Sequence, residues 1–103
     1  MPKPVTIGER VFGTQKSAMD EARRVRDRYA DGQMVTGDDV DFLMDLLYLH
    51  SEAADKIGSG VAGFSVDRDH VYRTTRCFFV HRTDGSSTDF SFENCIKGAN
   101  ARR

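Results

Sequence analysis

Lys56-Ile57-Gly58-Ser59-Gly60, and the basic residues on either side of the 76–96 stretch, are the parts of this chain whose types and spacing could do chemistry. Two glycines around one serine make either a tight turn or a place where backbone comes close to a ligand. The segment superficially resembles a phosphate-cradling loop. It lacks the Gly-x-x-x-x-Gly-Lys-Ser/Thr order, however, and its lysine precedes the glycines. Nor does it join a strand to a following helix, so no helix dipole would face a phosphate. Arg68, Arg73, Arg76, Arg82 and Lys97 cluster around a predicted hairpin and its approach loop, interleaved with Tyr72, Phe78 and Phe92. Cations for phosphates and rings for bases are what single-stranded nucleic-acid platforms use. The same mixture also suits a solvated sheet edge. The candidate nucleic-acid-contacting residues are Lys56, Gly58, Gly60, Arg73, Arg76 and Arg82, with Lys56 and the three arginines expected to line one surface.

Enzymatic readings find less support. His50, His70 and His81 could be grouped with Asp89 and two cysteines into a hydrolase-like set, but nothing in their spacing demands it. Neither Gly-x-Ser-x-Gly nor His-Glu-x-x-His is present, and no carboxylate pair is distinctive. Asp89 is expected to pair with Arg82 diagonally across the hairpin. Cys77 and Cys95 have no Cys-x-x-Cys partner and read as reduced structural thiols, Cys77 facing the core. No catalytic residue, metal site or cofactor is therefore expected, and a nuclease-like enzyme ranks third among the functional readings.

The elements that must position these residues follow from periodicity. Val5 to Phe12 reads as a short hairpin turning at Gly8-Glu9 in a type II′ loop. Thr14 is a plausible N-cap for a helix from about Gln15 to Ala30, with Ala18, Ala22, Val25 and Tyr29 as its buried stripe. Thr36 to Asp39 starts a second helix whose inner face is Val40, Leu43, Leu46, Leu47 and His50, the last expected to pack. Residues 51–59 read as a polar connector, and Val61 to Asp67 as a strand. Two aromatic and β-branched runs flank Thr83-Asp84-Gly85-Ser86, a hairpin signal. A two-residue type I′ loop at Asp84-Gly85 would set Phe79 opposite Phe90 and Cys77 opposite Phe92 on one buried face. Glu93 to Lys97 adds a last helical turn, and residues 98–103 read as a frayed tail. The order ββ-α-α-β-β-β predicts an α+β fold with two helices on one face of a small antiparallel sheet.

At 103 residues the chain reads as one domain able to bury a modest core unaided. Net charge is −1, but residues 31–55 hold seven acids and no Lys or Arg, so the remainder is basic. Such segregation lets a nearly neutral protein present one basic face. No apolar run has signal or membrane length, which predicts no membrane partner and, by default, a cytoplasmic setting.

The 76–96 stretch also resembles the domain named after the plant "defective chloroplasts and leaves" protein. The matching segments are Arg76-Cys77-Phe78-Phe79-Val80, Arg82-Thr83-Asp84-Gly85, Asp89-Phe90-Ser91-Phe92 and Cys95-Ile96. Upstream, Leu46-Leu47…His50 and Lys56-Ile57-Gly58-Ser59-Gly60 fit the same family, as do Ile7-Gly8, Phe12 and Ala18. Ser51 stands where Pro is expected after His, and His81 where the family strand more often has an apolar residue. The resemblance implies a role around nucleic acid without implying a reaction. Family members are associated with plastid ribosomal-RNA processing, and a related domain is appended to the largest subunit of a plant-specific RNA polymerase. The family has no established catalytic set to carry over. Its matched Lys56, Gly58, Gly60, Arg76, Arg82 and Asp89 are functional candidates, although the glycines and Asp89 could equally be structural. The expected function is a non-enzymatic nucleic-acid-associated module meeting RNA or structured single strands. The alternative is a protein-interaction adaptor docking on a nucleic-acid-processing enzyme.

Overall fold

A computed structural model describes residues 4–68 and 75–101, with side chains described as far as Lys97. β1 (Val5–Ile7) and β2 (Arg10–Phe12) pair antiparallel across Gly8-Glu9. Gly8 has φ of 62° and Glu9 keeps a negative φ, as the expected type II′ turn requires. α1 (Gln15–Asp27) starts at Thr14, whose side chain accepts from the Ser17 N–H, and buries Ala18, Ala22 and Val25. It ends short of Ala30 because the backbone turns sharply towards β3 (Gln33–Met34), and the Gln33 side chain accepts from the Ala30 N–H. Tyr29 is still buried, its hydroxyl 2.7 Å from Asp39 Oδ2.

α2 (Asp38–Leu47) has three aspartates in its first turn, where the helix dipole favours them. Phe42, Leu43, Leu46 and Leu47 are buried. His50 is also buried, and its Nδ1 accepts from the Glu52 N–H. The supposed connector contains a short helix, α3 (Ala53–Ile57). β4 (Val61–Arg68), β5 (Arg76–Arg82) and β6 (Ser87–Phe90) follow, then α4 (Phe92–Ala101), which is longer than a single turn. The four-stranded sheet has the order β3-β4-β5-β6 and is antiparallel throughout. The fold is α+β in the expected order, with β3, α3 and an extended α4 added to it.

The hairpin register differs from the expected one. Phe78, not Phe79, lies opposite Phe90, and Phe79 lies opposite Asp89. The loop has three residues: Arg82 N–H donates to Ser86 O, and Gly85 N–H donates to Arg82 O. Asp84 lacks the positive φ that type I′ demands at both central residues, while Gly85 takes φ of 91°. Local and tertiary bonds select this loop. The Asp84 carboxylate accepts from the Ser86 N–H and hydroxyl, while the Thr83 N–H donates to Gly60 O.

The shift by one residue turns the β5 side chains over to the other face, while Phe90 stays on the core side. Phe78, Val80 and Phe90 therefore join Phe64 and Val66 in the core, and Cys77 is only half buried. Phe92 opens α4 and packs against Phe78 from there, with ring centroids 6.2 Å apart. Phe78 and Phe90 stack at 5.8 Å, and Phe64 meets Phe90 edge-on at 5.9 Å. Each such pair contributes about 0.5–1.5 kcal/mol beyond its burial. α1, α2, α4 and β1, with Tyr29 and Val35 from the segments flanking β3, supply the rest of this hydrophobic cluster.

Candidate functional site

β5 carries two of the predicted arginines, Arg76 at its start and Arg82 at its end. That separates them by roughly 20 Å at ~3.3 Å per residue. The other candidates divide accordingly. Lys56, Gly58 and Gly60 gather around Arg82, Arg76 belongs to a different cluster, and Arg73 lies outside the described residues. The expected single surface lined by Lys56, Arg76 and Arg82 is therefore two sites at opposite ends of one strand.

At the Arg82 end, the two sequence motifs interlock. Arg82 Nε donates to Lys56 O at 3.0 Å and Nη2 to Asp55 O at 3.1 Å, which satisfies carbonyls at the C-terminal end of α3. Its Nη1 donates to Ser86 Oγ at 3.1 Å. Thr83 Oγ1 donates to Ser59 O at 3.1 Å, and Asp84 N–H to Ser59 Oγ at 3.2 Å. Lys56 Nζ reaches Asp89 O at 2.8 Å. Gly58 has φ of 54°, and a Cβ there would lie 2.8 Å from both Cδ and Nε of Arg82. Glycine is thus required twice, by backbone conformation and by the guanidinium stem lying across it. The expected Arg82–Asp89 pair is absent, because the register puts Asp89 beside Phe79 on the opposite face from Arg82. Hydrogen bonds from the Ser86 hydroxyl and N–H hold the Asp84 carboxyl below its usual range. This junction is a clasp between the α3–β4 turn and the β5–β6 loop.

At the Arg76 end the chemistry is different. Arg76 Nε donates to Asp31 Oδ1 at 2.9 Å, and Nη2 donates to Tyr29 O. Its Nη1 lies 3.6 Å from Asp27. Asp31 also takes Arg68 Nε at 2.7 Å. Desolvation pushes the Asp31 carboxyl up, but hydrogen bonds and attraction from Arg68 and Arg76 outweigh it, so its pKa falls below the ordinary 3.8. Beside this knot is a cleft of about 220 Å³ between α1 and the start of α4. Arg23, Arg26 and Arg76 line it with Phe92, Asp89 and Glu93. Arg26 Nη1 approaches Arg76 O at 3.5 Å, and the Arg23 guanidinium sits 5.8 Å from the Phe92 ring centroid.

Arg23 and Arg26 were absent from the expected site. Their i, i+3 spacing, which makes them neighbours on a helix surface, was the available signal. What the sequence could not give was that this flank of α1 meets the start of α4.

Other features organise less. Ser65 Oγ and His81 Nε2 share a 2.7 Å hydrogen bond across β4 and β5. A wider groove of about 540 Å³ lies between the Gly8-Glu9 turn and α2, lined by Asp38, Asp41 and Asp45, with Arg10 over the Phe42 ring. Among the described residues, no three His, Cys, Asp or Glu side chains are grouped to hold a metal. No described helix is long and apolar enough to cross a membrane.

Comparison with known proteins places this geometry in a family. Residues 23–96 match the family described as "Protein of unknown function (DUF3223)". The chain is 39% identical over 72 residues to Protein DCL, chloroplastic, of Solanum lycopersicum, which covers 69% of this chain and 32% of that protein. It is 38% identical over 69 residues to DNA-directed RNA polymerase V subunit 1 of Arabidopsis thaliana, covering 66% of this chain and 4% of the subunit. The chain thus spans a third or less of either relative. Among solved structures, it superposes with a TM-score of 0.82 on the solution NMR structure of an uncharacterised protein from Rhodospirillum rubrum. That protein is 34% identical, and the match covers 93% of this chain and 90% of that one. The chain belongs to the DUF3223 family of DCL-like domains.

Proposed function

We propose that this domain is a non-enzymatic nucleic-acid-associated module that binds RNA or single strands through its α1–β5 side. One observation carries the reading. Along that side, among the described residues, Asp20, Glu21, Asp27 and Asp31 are each ion-paired to two of Lys16, Arg23, Arg24, Arg26, Arg28, Arg68 and Arg76. Each of these carboxylates is divided between two cations, so donors of Arg23 and Arg26 are left for further anionic oxygens. The acidic groove at α2 lies elsewhere, so the charge is polarised although the net is −1. The resemblance to part of an RNA polymerase subunit supports the same context. α1 lacks the basic, carboxylate-free face that reads a major groove, since it also carries Asp20, Glu21 and Asp27.

The test is fluorescence anisotropy with labelled single-stranded RNA, single-stranded DNA and duplex DNA at two salt concentrations. Single strands should bind more tightly than the duplex, and their affinity should fall by about 0.7 logarithmic units per phosphate contacted for each tenfold rise in salt. Absence of binding at low salt would sink the reading. A protein-docking adaptor would then replace it, as the 4% share of a polymerase subunit suits an appended module.

A further inference from the structure

We infer that the cleft between α1 and the start of α4 is a seat for one internal phosphodiester of a single RNA strand. This rests on the nucleic-acid reading above and deepens it by naming the site and the group it takes.

The donors converge from separate elements. Arg23 and Arg26 come from α1 and Arg76 from β5, and all three line the same cleft. Their side chains are 43%, 22% and 24% exposed, so each is anchored yet accessible from the opening. The first turn of α4 closes the far wall through Phe92 and Glu93, while Ser91 Oγ accepts from the Asn94 N–H. The positive end of that helix adds to the guanidinium field. Phe92, held under Arg23, gives the cleft an apolar floor.

Size and charge narrow the ligand. At about 220 Å³ the cleft is smaller than the ~300–1,000 Å³ of sites that engulf a drug-sized molecule. It therefore suits one phosphate group rather than a whole nucleotide. Asp89 and Glu93 also line it, against three arginines. The lining itself carries one positive charge in excess, and Asp20, Asp27 and Asp31 pair with the same arginines from outside it, so a group of low charge such as a phosphodiester is the one it matches. A dianionic terminal phosphate or a polyphosphate would meet the carboxylates' repulsion without enough cation to offset it. Guanidinium forks are the side chains best shaped to hold phosphate oxygens in pairs.

The experiment is an amide NMR titration of the full chain with a short single-stranded RNA, prepared with a 5′-hydroxyl and, separately, with a 5′-phosphate. The expected result is the same shift of the Phe92 and Glu93 amides with both RNAs. Arg23→Gln and Arg26→Gln should each weaken binding about tenfold, and Arg10→Gln, at the α2 groove away from the cleft, should leave it unchanged. Circular dichroism and melting confirm that each variant folds. The inference fails if RNA binds without moving these amides, or if the Arg23 and Arg26 variants bind as wild type does; the broader function survives both results. It also fails if only the 5′-phosphorylated strand moves them. Failure of RNA to bind at all in the anisotropy experiment would instead remove the broader reading and this one with it.

Discussion

Arg82 and Arg76 close the two ends of β5, and the fold uses them in opposite ways. Arg82 gives its donors to neutral acceptors, two of them carbonyls ending α3, and its stem lies flat across Gly58. Arg76 joins a network of charges in which Asp27 and Asp31 each serve two arginines. A guanidinium satisfied by fixed carbonyls is a structural clamp. One that shares carboxylates with its neighbours at a cleft keeps capacity for an incoming anion. The contrast teaches that an arginine's neighbours, not its place in a motif, decide whether it can take a ligand.

The largest effect should come from the clamp. Arg82→Ala removes charge-assisted bonds to two backbone carbonyls and one hydroxyl, and should cost about 2–3 kcal/mol in urea unfolding. Arg82→Lys should recover little, because an ammonium cannot span the three acceptors. A loss as small as that of an ordinary surface arginine would break the distinction between the two ends.

Gly58→Ala should cost less, about 1–2 kcal/mol. It forces a Cβ onto a positive φ and to within 2.8 Å of the Arg82 stem. Combining it with Arg82→Ala should give less than the sum of the two losses, because the crowding disappears with the stem. Strict additivity in the double-mutant cycle would show that the two residues do not act as one clasp.

The smallest effect lies at the other end. Asp31 has a native pKa below its ordinary value, so it binds its proton less readily folded than unfolded. Its contribution is present above pH 3.8, the unfolded value, and is lost as pH falls through the lower folded value. Asp31→Asn should therefore lower stability slightly at neutral pH and flatten the acid limb of the stability profile. Wild-type and variant curves that remain parallel down to pH 2 would show that the network at Arg76 is energetically silent. Because Asp31 is exposed to solvent, added salt should shrink the difference.

Much of the fold is legible in the sequence alone. The Gly8-Glu9 turn, the Thr14 cap and the Ala18, Ala22, Val25 stripe are local, each set by a few neighbouring residues. Leu43, Leu46 and Leu47 likewise announce their buried face by spacing alone. The α+β class and its antiparallel order follow from such signals in sequence. The Lys-Ile-Gly-x-Gly and Arg-Thr-Asp-Gly segments were recognisable too, though not as two halves of one clasp.

Tertiary structure decided the rest. Asp84-Gly85 is locally compatible with a two-residue turn, and the aromatic pattern allows Phe90 either Phe78 or Phe79 as its partner. Thr83 bonding to Gly60 and Ser59 belongs to a different loop, and it accompanies the three-residue turn that sets the register. β3 is two residues long and has no signature apart from the edge of β4 it pairs with. The split between Arg76 and Arg82 arises the same way. Sequence places both on one strand, but only packing brings α3 to one end and α1 with α4 to the other. Backbone propensity acts over a few residues, whereas the environment of a long cationic side chain is fixed by whatever elements the core draws alongside it.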